Sequence, residues 1–335
     1  MTALVQADMA EQPGLLRSMA DRFPLFSADA GSLGEQRPGV LVAVARGSSA
    51  HAIEMARGAI EEAFQAPLIA LDVTASARSA PKLPLNSLAI AVSQSGETPD
   101  VVAAVERLRD TGTFIRTITN EDGQLARLGT QNYAVGAGRE RSIPATKSIL
   151  GQVAILLSLA AAEIGRSDWP DLLRLSADWC EDELSHPRVA GAGPDNAATP
   201  IAAIGSGAGL GLAREFAQKV VETSGIPVMA LDAAEFQHGP IAVVRPGVAV
   251  VGFAPEKLDV VAATLDKVAE RGGATDLVAF EPVSESVASL PQGLKAGLLC
   301  LPLLVRIQQM MIDQAQSRGL NPDLAFGLTK VTPTI

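Results

Sequence analysis

The chain has 335 residues, enough for about two domains of ordinary size, with a formal net charge of −10 and 47% hydrophobic against 19% charged residues. These values exclude a disordered or fibrous chain, and the acidic balance argues against a general nucleic-acid surface, which needs clustered Lys and Arg. Two cysteines, Cys180 and Cys300, are too few for a disulfide framework or a metal knuckle.

Residues 1–17 show no charged start followed by an apolar core, so no signal peptide is expected. Residues 9–23 read as a leading helix with Pro13 in its first turn. Gly39-Val-Leu-Val-Ala-Val-Ala-Arg46 is an apolar run of the kind presented by a parallel strand buried on both faces; it leads into Gly47-Ser48-Ser49 and a helix to about residue 64. Residues 67–72 read as the next strand and residues 88–92 as the third. The stretch after that third strand organises the rest. Ser93-Gln-Ser-Gly-Glu-Thr98 contains no hydrophobic residue, and Pro99 then opens a helix that Thr98 is placed to cap. Strand, hydroxyl-rich turn and helix N-terminus in succession aim free backbone N–H groups and the positive end of a helix dipole at one point. Ser and Thr also cap helices without binding anything, but three hydroxyls around Gly96 directly after a buried strand favour a phosphate site.

Residues 114–119 read as a fourth strand, 133–135 as a weak fifth, and 146–163 and 169–183 as helices. Residues 186–198, rich in Pro, Gly and Asn, read as a linker. The second half then repeats the first. Pro67-Leu-Ile-Ala-Leu-Asp72 returns 160 positions later as Pro227-Val-Met-Ala-Leu-Asp232, and Gly47 and Glu62 map to Gly207 and Glu222 at the same offset. Buried strands alternating with helices in two copies predict an α/β fold of two tandem domains with mainly parallel sheets and right-handed crossovers. The expected boundaries are a helical lead (1–24), a first domain (25–185), the linker (186–198), a second domain (199–318) and a C-terminal tail (319–335). The most apolar run, residues 298–305, is too short to span a bilayer and reads as a buried helix of a cytoplasmic protein.

The copies are not equal. Ser93, Gln94 and Ser95 become Phe253, Ala254 and Pro255, so the phosphate turn is expected only in the first half. The second half carries Lys219, Glu222, Glu235 and His238 instead, which suggests anchoring in one half and chemistry in the other. Lys219 and Glu222 share one helix face, as a surface ion pair also would. His238 precedes Gly-Pro in a turn and is either a hydrogen-bonded turn residue or a functional one, while His51, after the Gly47-Ser48-Ser49 turn, reads as helix surface in preference to a ligand contact. Lys147 either faces the phosphate or begins a helix, and Lys330, five residues from the C-terminus, reads by position as solvated.

Taken together these segments carry a resemblance. Ser93-Gln-Ser-Gly-Glu-Thr98 resembles the signature of the sugar isomerase (SIS) domain. Glu11-Gln-Pro13, Arg46-Gly-Ser-Ser49, Ala145-Thr-Lys147, Lys219-Val-Val-Glu222, Glu235-Phe-Gln-His-Gly-Pro240 and Leu328-Thr-Lys330 resemble, in order, segments of the isomerase half of glutamine–fructose-6-phosphate amidotransferase. The N-terminal cysteine nucleophile of that family's glutaminase half has no counterpart in this sequence. The resemblance implies two three-layer αβα domains. It also implies a phosphosugar aldose–ketose isomerase or deaminase, with glucosamine 6-phosphate giving fructose 6-phosphate and ammonia as the leading expectation. Glu222 would shuttle a proton between C1 and C2, His238 would open the ring from the partner in a homodimer, and Lys330 would form a Schiff base, with Lys219 beside them. Ser48, Ser49, Ser93, Gln94, Ser95, Thr98, Ala145 and Lys147 would bind the substrate, a small sugar phosphate. No metal, redox cofactor, nucleic acid or membrane is implied. Another amino-sugar or fructosamine phosphate remains an alternative, as does a non-catalytic sugar-phosphate sensor. Such a sensor normally appends a helix-turn-helix, for which residues 1–23 have neither length nor charge.

Overall fold

The structure, a computed structural model, describes residues 4–30, 37–79, 81–186, 199–256, 259–281, 284–325 and 328. The expected leading helix is two helices, α1 (Leu4–Met9) and α2 (Gln12–Asp29). Pro13 lies at the very start of α2, where its missing N–H costs nothing, so it opens a new helix instead of continuing the first.

Five parallel strands follow: β1 (Val40–Ala45), β2 (Leu68–Ala70), β3 (Ser87–Ser93), β4 (Phe114–Thr119) and β5 (Gln131–Ala134), in the order β2-β1-β3-β4-β5. Between them run α3 (Gly47–Phe64), α4 (Val73–Arg78), α5 (Pro99–Asp110) and α6 (Gln124–Leu128). Two long helices, α7 (Lys147–Glu163) and α8 (Trp169–Ser185), close this half. The second sheet has β6 (Thr199–Gly205), β7 (Met229–Asp232), β8 (Val248–Ala254) and β9 (Ala274–Ala279), all parallel in the order β7-β6-β8-β9. Its helices are α9 (Ala208–Ser224), α10 (Ala233–Gln237), α11 (Asp259–Glu270), α12 (Glu285–Ala288) and α13 (Gln292–Gln316), with a 3-10 turn at Pro240–Val243.

Every residue of β3 and of β8 is buried, which is why both read as unbroken apolar runs. One large core fills the space between the inner faces of the two sheets, built from α2, α3, α7, α8, α9 and α13. Two smaller cores lie outside, under α4 to α6 on the first sheet and under α10 and α11 on the second. The apolar run 298–305 lies in α13. Among the described residues α13 is the one helix long and apolar enough to cross a membrane, yet 89% of its apolar window is buried inside the protein. Cys180 and Cys300 are buried too, and burial pushes both thiols up, away from nucleophilic use.

In each sheet the chain lays its second strand on one side of the first and its third on the other. This leaves a switch point between β1 and β3, and another between β6 and β8. Crevices open at the carboxyl ends of strands at such points. The helical layer between the sheets is drawn tight by small residues. A Cβ at Gly293 of α13 would overlap the backbone of Gly58 and Ala59 in α3. Gly293→Ala is therefore expected to cost about 1–3 kcal/mol, the usual range for overpacking, seen as an earlier urea midpoint at unchanged slope.

Candidate functional site

Two turns meet at the first switch point. The turn after β1 carries Arg46, Gly47, Ser48 and Ser49, with Gly47 at φ +52, and the turn after β3 carries Ser93 to Thr98, with Gly96 at φ +67. Both glycines hold a left-handed conformation that most side chains resist, and both deliver the chain into a helix N-terminus, α3 and α5. Ser93 Oγ lies 3.1 Å from Thr98 Oγ1 and accepts from Gly96 N at 3.2 Å, while Ser95 Oγ accepts from Glu97 N at 3.2 Å. Thr98 occupies the N-cap position of α5 but makes no capping hydrogen bond. Its hydroxyl turns toward Ser93 instead, keeping it with the other hydroxyls of the turn.

Opposite these hydroxyls stands α9, from the other half of the chain. Gln218, Lys219 and Glu222 join Ser48, Ser49, Ser93, Gln94, Ser95 and Thr98 around one cleft of about 280 Å³. Arg46, Glu140, Ile143, Ala145 and Leu328 are also on the wall. Both Glu222 oxygens are held: Gln218 Nε2 donates to Oε1 at 2.6 Å and Lys219 Nζ to Oε2 at 2.5 Å. Behind them a buried carboxylate ties the two halves together. Glu215 Oε1 accepts from Ser48 Oγ at 3.0 Å, and His51 Nδ1 lies 2.8 Å from Glu215 Oε2. Lys219 Nζ is 3.7 Å from Glu215. Burial alone would raise the Glu215 carboxyl, but the Lys219 charge and the His51 and Ser48 contacts outweigh it and hold it below the usual range. Burial likewise opposes the Lys219 ammonium, and the charges of Glu215 and Glu222 outweigh that, raising it.

The loop from Glu140 to Ala145 is pinned from both ends. Glu140 accepts from the backbone N–H of Thr146 and of Ser148 at 2.9 and 3.0 Å, at the start of α7. Asp8 of α1, fully buried, accepts from the N–H of Arg141 and of Ser142. Burial would raise Asp8, and those donors together hold it low.

Most of the residues named from sequence thus converge, and two of the described ones, Lys147 and His238, do not. Lys147 begins α7, as one reading had it, but its ammonium is 2.5 Å from Glu11 and 3.6 Å from Asp8 and is absent from the cleft wall. His238 ends α10, exposed to solvent, and does not line the cleft. Lys330 lies outside the described residues. The expectation for His51 is corrected: its side chain is 16% exposed and faces Glu215 across the seam instead of lying on the helix surface. Glu215 itself was missed, although 215, 219 and 222 step along one face of a helix by four and three. A second cleft of about 330 Å³ lies at the other switch point, lined by Ser206, Gly207 and Pro255 but walled by Glu61, Glu62 and Glu256.

The SIS domain profile matches residues 41–162 and 197–286, taking in both turns and the whole of α9. The chain belongs to the SIS domain family. The two matched segments correspond to the two sheets, as the repeat implied. Among curated proteins, this SIS chain is 29% identical over 263 residues to glutamine–fructose-6-phosphate aminotransferase (isomerizing) of Pyrococcus horikoshii. That match covers 73% of the chain and 43% of the relative, so the chain spans less than half the length of that protein. A structure from Silicibacter pomeroyi DSS-3, provisionally described as a phosphosugar isomerase, superposes with a TM-score of 0.85 at 24% identity, covering 96% of this chain and 100% of the other. Glucosamine-6-phosphate deaminase from Thermotoga maritima superposes at 0.76 with 21% identity, covering 99% and 100%. At those identities the likeness is one of fold.

The Glu215 network sets a pH dependence. A carboxyl whose folded pKa is depressed adds stability above its unfolded value, 4.5, and that stability is lost as pH falls through the folded pKa. Wild-type stability is therefore expected to fall below pH 4.5, in part through Glu215. Glu215→Gln should lose about 3–5 kcal/mol at pH 7, the range for breaking a buried ion pair, and show a shallower acid limb in urea unfolding series.

Proposed function

We propose that this SIS protein is a phosphosugar aldose–ketose isomerase of the deaminating type, converting glucosamine 6-phosphate and water to fructose 6-phosphate and ammonia. One observation carries the reading: a carboxylate held on both oxygens, Glu222, shares a cleft with the hydroxyl turn, although the two come from opposite halves of the chain. The sequence kinship with an isomerizing aminotransferase and the shared fold with a glucosamine-6-phosphate deaminase support the substrate class.

In this mechanism Ser49, Ser93, Gln94, Ser95 and Thr98 hold the phosphate, with Ser48 and Ala145 beside the sugar. Binding energy from this inert end orients the reacting carbons. Once the ring is open, Glu222 takes the proton from C2 and returns it to C1, leaving a C2 imine. Water adds at C2 and ammonia leaves. Lys219, hydrogen-bonded to Glu222, offsets negative charge developing on the C1 oxygen. Ring opening needs a proton relay suited to histidine. His238 is exposed and outside its own cleft, which leaves it available to complete the site of the other subunit in a homodimer. For the reverse direction Lys330 is assigned the Schiff base with the ketose carbonyl, its amine adding at C2 and water leaving.

Ammonia and ketose phosphate should both appear when the purified protein meets glucosamine 6-phosphate. Galactosamine 6-phosphate and a fructosamine phosphate serve as the competing substrates, and turnover of either in preference would reassign the sugar. Glu222→Gln should lower kcat by about 10²–10⁴ with KM little changed, the scale of a lost general base. Borohydride trapping with fructose 6-phosphate should label Lys330, located by peptide mass spectrometry. Mixing inactive Glu222→Gln with inactive His238→Ala should restore about a quarter of wild-type activity, since half of the randomly formed dimers then carry one intact site. No recovery would place His238 outside the partner's site.

A further inference from the structure

A phosphate monoester brings about −1.5 to −2 charges near pH 7, yet the turn proposed to hold it consists of neutral hydroxyls, an amide and backbone N–H groups. Ser93, Ser95 and Thr98 are also partly engaged with one another and with their own turn. Among the described residues two cations line the cleft, Lys219 and Arg46. Lys219 is taken up by Glu215 and Glu222 beneath the reacting end. Arg46 stands at the hydroxyl end, directly before the first turn of α3.

The Arg46 side chain does not cap α3, although it occupies the N-cap position. It folds across to α5 and α4: Nε and Nη2 lie 2.9 and 2.6 Å from Asp100 Oδ2, and Nη2 lies 2.5 Å from Thr74 Oγ1. Among the described residues Nη1 makes no hydrogen bond. The two partners differ sharply in exposure, with the Asp100 side chain at 2% and that of Arg46 at 43%. The pair is thus layered, with the carboxylate sealed behind and the guanidinium open in front, on the cleft wall. A pair built only to neutralise Asp100 gains nothing from leaving its cation on the wall of a cleft whose other cation is already paired.

We propose that Arg46 is a phosphate-binding residue, its guanidinium braced by Asp100 and Thr74 and its free edge turned to the dianion beside Ser49 and Ser93. The assignment rests on the reading of the cleft as a sugar-phosphate site and adds to it the missing charge. A guanidinium fixed by two partners loses little freedom on binding and presents a planar fork to phosphate oxygens. Asp100 opposes the same anion from behind. The two residues therefore affect phosphate affinity with opposite sign, which a purely structural pair would not do.

Titration calorimetry with inorganic phosphate at pH 8 reads this without any sugar. Arg46→Gln should weaken phosphate binding about tenfold, the equivalent of one charge-assisted hydrogen bond, and flatten its dependence on ionic strength. Asp100→Asn keeps the acceptor for Arg46 and should tighten binding about threefold. Equal affinity in wild type and a folded Arg46→Gln overturns the assignment, as does weaker binding in Asp100→Asn. Should Arg46→Gln fail to fold, Arg46→Lys decides: a loss of about two- to fivefold supports the assignment, because a point charge does not replace the fork, and unchanged affinity overturns it. Arg46-dependent phosphate binding without turnover of any amino-sugar phosphate would sink the proposed reaction and leave Arg46 in place. Turnover with phosphate binding indifferent to Arg46 would do the reverse.

Discussion

The close approach of α3 and α9 is the constraint on which the site depends. These helices belong to different halves of the chain, and each begins at the carboxyl end of its own sheet's first strand. Gly211 lets them meet: a Cβ there would lie 2.8 Å from Met55 N and 3.0 Å from His51 O. Glycine in a helix interior costs roughly 1 kcal/mol against alanine, and here it gains backbone contact across the seam. Glu215 then fixes the register chemically. Its carboxylate is out of water, so it must be matched where it stands, and Ser48, His51 and Lys219 match it from both helices. Sliding α9 by one turn would leave a buried charge unpaired. The first turn of α3 and the Lys219–Glu222 pair are therefore held in one frame, which any chemistry on a molecule bound between them requires.

Duplication accounts for the architecture but not for the asymmetry. Both sheets have a switch point and a cleft of similar size, and both clefts receive a helix from the other half. Gly207 keeps the positive φ of Gly47, at +55 against +52, so the backbone of the first turn survives in both copies. What differs is side-chain chemistry. Phe253 is fully buried where Ser93 offers a hydroxyl, and Pro255 removes an N–H where Ser95 supplies one. Glu61, Glu62 and Glu256 line that cleft together with Arg57, Glu61 being paired with Arg57 and Glu256 with Lys295. The second switch point thus retains the shape of an anion site without its hydroxyl turn.

The sequence made the sheets legible because buried parallel strands announce themselves as short apolar runs. The offset of 160 residues made the second sheet legible from the first. The hydroxyl turn was visible because five polar residues and a glycine in succession after such a run have no packing rationale. Other features depend on contacts between distant segments. Local pattern left Lys147 undecided between helix start and ligand contact; its ammonium is claimed by Glu11 and Asp8, more than 130 positions earlier. His51 read as helix surface because nothing near it in sequence shows α9 lying against it. Thr98 satisfied the rule for a cap yet serves Ser93, while the Val101 N–H, one of the donors that a cap would satisfy, donates to Asp100 Oδ1. Glu215 was recoverable from its spacing with Lys219 and Glu222, but spacing does not distinguish a solvated ion pair from a buried one. That distinction needs the partner helix.

Charge is distributed along the cleft in a way that bears on what it can orient. At the far end Glu140, Glu215 and Glu222 surround one ammonium, Lys219, whose own protonation those carboxylates reinforce. At the near end two helix N-termini and Arg46 face the hydroxyls, with Asp100 sealed behind the guanidinium and Glu97, exposed in the same turn, not lining the cleft. Field lines in a walled cleft run between such ends instead of spreading into water. A small molecule with an anionic group at one terminus and a cationic amine a few carbons away would be aligned by this field before any short-range contact formed. A ketose phosphate, which lacks the amine, would feel only the anionic half of that alignment. In the proposed reaction, loss of the amine as ammonia would remove the cation that the far carboxylates favour and would leave the product held at its phosphate alone. Binding and departure would then be governed by different ends of the cleft, with the Glu215 seam holding the two ends at a fixed separation throughout.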